Sequence, residues 1–280
     1  MSLNSINTNV GATVALESLN VTNAQLNRVQ KQVSTGYRVA DATDDGAAYA
    51  VAQRVRSDVG ALNSANQQLG NVQGLVGTTI TTLNDVSNLM SSARDVLVKL
   101  ADGNVVGNER TQYAQQYNSL LTNIKSNLKD ATYNSKTLLG NIGGTSGFGA
   151  VSVVRNEVGA TYGISTFGAS ALYGSLNAST FTTASGALAA VSTSGTFTKM
   201  LNEVGTKLNY YGSVSSYVTN QISFNNDKID SLNNGLGSLV DADLAKESAQ
   251  LQSLQIRQQL GEQALSIANQ APSSLLSLFK

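Results

Sequence analysis

The dominant pattern along the chain is apolar residues three and four apart, the period of an amphipathic helix. Ala12, Ala15, Leu19, Thr22, Leu26, Val29 and Val33 form a first seam of alternating threes and fours. Gly36 follows, placed to close that helix as a left-handed C′ residue. The Asp44-Asp45 pair offers an N-cap for a helix opening at Ala47, Ala48, Tyr49 and Val51. A longer seam runs Leu69, Val72, Val76, Thr79, Leu83, Val86, Met90, Ala93, Leu97 and Leu100, and Ala101-Asp102-Gly103-Asn104 ends it. Another helix is predicted from about Glu109, with Tyr113, Tyr117, Leu120, Ile124 and Ala131 on one face and its end near Leu139-Gly140.

The pattern changes after Gly140. Val151-Ser152-Val153-Val154 and Ala160-Thr161-Tyr162-Gly163-Ile164 read as two strands of a hairpin, with Asn156 to Gly159 in the turn. Ser175 to Ser194 is rich in small polar residues and reads as a surface loop. Helical spacing returns at Phe197 and runs through Leu201, Val204, Leu208, Tyr211, Ser215, Val218, Ile222, Asn225, Ile229, Leu232 and Leu236 to Leu239. The register then slips beside Gly235, Gly237 and Asp241, which predicts a break. The last helix carries Leu244, Leu251 and Leu254 on one line and Ile256, Leu260, Ala264 and Ile267 on another. Pro272 is expected to stop it, ahead of an apolar end at Leu275, Leu276, Leu278 and Phe279.

The predicted fold is therefore mainly α: a long coiled-coil-like helical rod, paired N- and C-terminal helices, and a small β-hairpin in the middle. An isolated amphipathic helix is marginal in water. The two terminal helices should pair with each other. Periodicity leaves open whether that pair also needs other subunits or closes into one intramolecular bundle.

Composition narrows the chemistry. The chain has no His, no Cys and one Pro in 280 residues. That excludes an imidazole base, a histidine zinc site, a thiol nucleophile and a disulfide framework. Lys and Arg number 18 against 18 Asp and Glu, so the net charge is zero, which argues against a protein built to grip nucleic acid. A neutral surface also favours self-association. Mean hydropathy is −0.08, and no run approaches a membrane span. Met1 to Asn20 lacks the basic and apolar regions of a cleavable signal peptide.

Motifs with catalytic or binding potential are weak. Asp41 to Gly46 resembles a calcium loop only faintly: position 3 is Thr43 and position 12 is Ala52, where Asp or Asn and Glu belong. Gly143 to Gly149 follows a helix and lacks dinucleotide spacing. Asp241, Asp243 and Glu247 suit a helix start. Arg54, Arg56, Arg94 and Arg110 are isolated and read as solvated faces or subunit contacts. The sequons at Asn20 and Asn177 read as chance matches. No cofactor, metal or enzymatic activity is expected.

Both ends carry further motifs. The start reads Ser5-Ile6-Asn7-Thr8-Asn9, then Ser34-Thr35-Gly36-Tyr37-Arg38-Val39, then Ala42-Thr43-Asp44-Asp45-Gly46-Ala47-Ala48. The end reads Val240-Asp241-Ala242-Asp243-Leu244-Ala245-Lys246-Glu247, then Ala268-Asn269-Gln270-Ala271-Pro272, then Leu275-Leu276-Ser277-Leu278-Phe279. Together these resemble bacterial flagellin, of a short type without large outer domains, over about 1–145 and 195–280.

The resemblance implies a structural subunit that polymerises into the flagellar filament for swimming motility. The flagellar type III apparatus would export it unfolded, an export chaperone and a filament cap would be its partners, and its place would be extracellular. The hook–filament junction protein is the alternative. The implied domains are an inner-tube domain at 1–40 and 240–280 and a helical rod domain at 41–175 and 195–239, with the hairpin near 150–165 and a short Ser/Thr-rich connection at 176–194. Leu19, Leu26, Val33, Leu244, Leu251, Leu254, Ile256, Leu260 and Ile267 are expected to form the subunit-packing seam. Family members recognised by Toll-like receptor 5 carry Gln-Arg-Val-Arg-Glu-Leu on the rod helix. Ser91, Ser92, Ala93, Arg94, Asp95 and Val96 stand at the matching place, with Ser92 replacing an arginine, so weak receptor activation is expected.

Overall fold

Asn9 opens the first helix by accepting, on its side-chain oxygen, the N–H of Ala12 at 3.0 Å. This computed structural model describes residues 8–140, 142, 148–177 and 179–277. Helix α1 (Val10–Thr35) ends where Gly36 turns left-handed at φ 74° and its N–H bonds the Gln32 carbonyl, the predicted cap. Asp45 caps α2 (Gly46–Ala101), accepting from the N–H groups of Ala47 and Ala48. The helix predicted to open at Ala47 and the seam predicted from Leu69 to Leu100 lie on this one helix of 56 residues.

After α3 (Gly107–Asp130) the chain forms strands β1 (Val151–Val154) and β2 (Thr161–Ile164), paired antiparallel with Val151 opposite Ile164. Helix α4 (Ala169–Leu176), a 3-10 turn (Ser179–Thr182) and α5 (Ala184–Val191) follow. The long α6 (Thr196–Val240) and α7 (Leu244–Ser277) complete the order. The mainly α fold with a small hairpin is as the spacing predicted.

Three local expectations differ. Helix α3 stops at Asp130 rather than near Gly140. Asn134 and Ser135 adopt positive φ in a tight Tyr133–Lys136 turn, which no helix can continue through. The apolar Leu138 and Leu139 that suggested more helix are buried beside Phe167, whose N–H bonds the Leu138 carbonyl. The region from Ser175 to Ser194, read as a surface loop, contains α5 and buries Phe181, Ala187 and Ala190. Pro272 does not stop α7, which continues to Ser277. A proline removes one helical hydrogen bond, to the carbonyl four residues back. That carbonyl, of Ala268, accepts instead from Asn9 Nδ2 at 2.7 Å.

The chain divides into two compact units, residues 58–229 and residues 1–57 with 230–280. In the first, all ten predicted seam positions from Leu69 to Leu100 are buried, with Tyr117, Leu121, Ile124 and Leu128 of α3 and Phe197, Val204, Tyr211 and Val218 of α6. Arg110, expected on a solvated face or at a subunit contact, is half-buried and bonded within the unit. Its guanidinium donates to the carbonyls of Leu100, Asp102, Val105 and Thr182, so it gathers the end of α2 and the 3-10 turn. In the second unit, Val39, Ala48, Ala52 and Val240 form a small core.

Ser5, Ile6 and Asn7, the glycine-rich 143–147, Ala178 of the second sequon, and Leu278 and Phe279 lie outside the described residues.

Candidate assembly surface

Helices α1 and α7 lie antiparallel: Asn9 meets Ala268, Leu19 meets Gly261, and Gly36 accepts the N–H of Ala242. On α1, Leu19, Leu26 and Val33 are half-buried on the same face as the buried Val29. On α7 the inward line is Leu251, Leu254, Gln258, Gly261, Leu265 and Ala268, again three and four apart. Gly261 permits the close approach, since a side-chain carbon there would come to 3.2 Å of Leu19 Cδ1.

The nine predicted seam residues fall into two sets. Leu254 is 2% exposed, whereas Ile256 and Leu260 are each 58% and Ile267 is 69% exposed. Leu244 is exposed as well. The apolar width of α7 therefore exceeds what α1 covers. Val10, Val14, Leu16 and Val21 of α1 are likewise exposed. An open groove between the helices is lined by the apolar Val14, Val21, Leu260 and Ala264 and by the polar Glu17, Ser18, Thr22, Gln25 and Arg257. Exposed apolar strips of this kind mark interaction sites.

The turn after α1 joins this unit together in a way spacing did not reveal. The N–H groups of Arg38 and Val39 bond the Val240 carbonyl at 2.7 and 3.3 Å, and Arg38 Nη2 bonds the Leu239 carbonyl at 2.6 Å. The motif around Gly36-Tyr37-Arg38-Val39 is thus seated on the motif at Val240-Asp241-Ala242. The two motifs are 200 residues apart in sequence, so only their joint occurrence could have hinted at contact.

The acidic residues of the faint calcium loop face a lysine. Lys31 Nζ reaches Asp41 Oδ2 at 2.6 Å and Asp44 Oδ2 at 2.8 Å. Hydrogen bonds from Lys31 hold both carboxyls below their usual range, and the same bonds raise the lysine. Asp243 Oδ1 accepts the N–H groups of Ala245 and Lys246, as a helix-start residue does. Among the described residues, no three acidic side chains cluster as a metal site, and no helix is long and apolar enough to cross a membrane.

The stretch Ser91–Val96 lies on α2 in the other unit. Ser91, Ser92, Arg94 and Asp95 are exposed, while Ala93 and Val96 belong to the core. A binding partner could touch at most four of the six.

Comparison with known proteins places this geometry in a family. The bacterial flagellin N-terminal helical region matches residues 6–143, and the bacterial flagellin C-terminal helical region matches residues 194–279. The flagellin FljK of Caulobacter vibrioides is 37% identical over the whole of both chains. A flagellin of Brucella melitensis is 34% identical over 99% of each. The crystal structure of Bacillus cereus flagellin is more distant, with a TM-score of 0.39 and 14% identity over 66% of this chain and 94% of that one.

Proposed function

The chain belongs to the bacterial flagellin family, and from that premise we propose how its surfaces serve a filament subunit. It is a structural protein that polymerises with copies of itself into the flagellar filament. The observation that carries the surface assignment is the split of α7. One apolar line is closed by α1, and a second, at Ile256, Leu260 and Ile267, is left uncovered beside the groove. A second copy of the chain is its occupant. Zero net charge supports this, because close stacking of identical copies then meets no net repulsion. The junction-protein alternative is not favoured, since the relatives matched over their full lengths are flagellins.

Residues 1–40 and 240–280 serve as the inner-tube part, 41–175 and 195–239 as the rod part, and 176–194 as the connection at the outer side. Leu19, Leu26, Val33, Leu251 and Leu254 hold the terminal pair together, and Leu244, Ile256, Leu260 and Ile267 meet neighbouring subunits. Family membership supports export in unfolded form by the type III apparatus, an export chaperone, a tip cap, and an extracellular position in the filament. It also supports a purely structural chemistry without catalytic centre or cofactor.

The deciding experiment is seeded polymerisation followed by electron microscopy. Full-length protein forms tubes, while chains lacking residues 1–35 or 245–280 stay as soluble monomers; filaments from either truncation overturn the assignment. A second expected outcome concerns Toll-like receptor 5. With Ser92 in place of an arginine and two of six positions buried, purified monomer activates reporter cells weakly. Full potency in that assay refutes this reading of Ser91 to Val96.

A further inference from the structure

We propose that Asn9 sets the register of the terminal helix pair, because Pro272 leaves one carbonyl of α7 for it to find. Helix α7 passes through Pro272 and continues to Ser277. Proline has no N–H, so the Ala268 carbonyl lacks the donor that the carbonyls before it receive from four residues on. Asn9 Nδ2 donates to that oxygen at 2.7 Å. The other end of the same amide, Oδ1, accepts the Ala12 N–H at 3.0 Å and caps α1. One side chain therefore completes two helices at once.

Capping alone does not call for asparagine. Serine and aspartate cap equally well, and threonine only a little less. Only asparagine offers an acceptor on one atom and N–H donors on another within a single short side chain. The apolar seams of α1 and α7 repeat, and a sliding pair would still bury much of its surface. A polar group with a single partner position removes that freedom, as one buried asparagine does in a coiled coil. Sliding by a turn, about 5.4 Å, would aim the Asn9 donor at a carbonyl already bonded inside its helix and leave that of Ala268 bare.

The functional consequence rests on the assembly reading above. A shifted pair would misplace Ile256, Leu260 and Ile267 against Val14 and Val21 and spoil the groove for the next copy.

The native chain has no cysteine, and a Cβ at Gly261 would lie 3.9 Å from Leu19 Cβ, the spacing of a disulfide. A full-length chain carrying Leu19→Cys and Gly261→Cys thus reports register by its cross-linking yield. Asn9→Asp keeps the cap oxygen and carries no donor. Pro272→Ala supplies the missing N–H. Asn9→Asp is expected to cut the early cross-linking rate roughly threefold or more, and, in the cysteine-free chain, to raise the critical concentration for polymerisation roughly three- to tenfold. Beside Pro272→Ala, the same change has little effect on either. An equal penalty with and without Pro272, or no penalty in either, overturns the proposal and leaves Asn9 a plain cap. A native chain that cross-links in register yet never polymerises sinks the assembly reading instead.

Discussion

A single ammonium, that of Lys31, holds the turn after α1. It bonds Asp41 and Asp44, and Asp44 Oδ2 also accepts the N–H groups of Ala40 and Asp41. Asp41 and Asp44 titrate below the ordinary aspartate value of 3.8, through hydrogen bonds from Lys31 first. Lowered carboxylates stabilise above that value, and the contribution is lost as pH falls through the lowered ones. Lys31 is raised above 10.5, so its share is present below 10.5 and lost as pH rises through the raised value. The clasp is whole across the interval between 3.8 and 10.5. It lies at the surface, so salt weakens it. Protection of the 36–45 amides, taken against the intrinsic exchange rate at each pH, should therefore be highest in that interval and fall in acid and in high salt. Lys31→Met should show low protection there at neutral pH, with little further loss as acid or salt is added. Indifference of the native chain to both would contradict the clasp.

At the scale of elements, the long helices were legible because their apolar residues repeat without interruption. Every position predicted for α6 from Phe197 to Leu239 is buried or half-buried, including the polar Asn225. The repeat could not say why an asparagine belongs there. Asn225 Nδ2 donates to Asn66 Oδ1 of α2 at 2.8 Å and to the Arg155 carbonyl at 3.0 Å, and its oxygen accepts from Gln221 at 2.9 Å. The hairpin is fastened alongside: Tyr162 stacks on Tyr217 at 4.1 Å, and Lys228 pairs with Glu157. Asn225→Ala would take the partner from these part-buried groups, at a cost of about 1–2 kcal/mol. Faster hydrogen exchange across 151–164, with the ends of α6 unaffected, is the expected result; unchanged exchange there would show that the network does not hold the hairpin. Spacing misled where burial came from tertiary contact. Leu138 and Leu139 extended the apparent seam of α3, but the Asn134-Ser135 turn had already ended it. The α5 region has too few large apolar residues to register as a helix, and Ala187 and Ala190 bury almost nothing a pattern could detect. At the candidate site, the two lines of α7 were visible as spacing. Which line faced inward was not in the spacing, and Arg38 meeting Leu239 depended on folding.

For the whole molecule, the question is how one chain holds its ends together and still offers them to copies of itself. Separate lines on the same helix allow both. Leu254, at 2% exposed, is used up inside the subunit, whereas Ile256, two residues on, is left outside. An aspartate tests each line separately, because a charge is costly wherever it becomes buried and harmless where it stays wet. Leu254→Asp places that charge between α1 and α7. It should abolish both the cross-link between cysteines at 19 and 261 and the filaments. Ile256→Asp stays solvated in the monomer, so the cross-link and helix content should match the native chain while polymerisation fails. Only copies stacking on the outer line require that separation. If Ile256→Asp polymerised at the native critical concentration, the exposed line would not be an interface, and the apolar width of α7 would need another occupant.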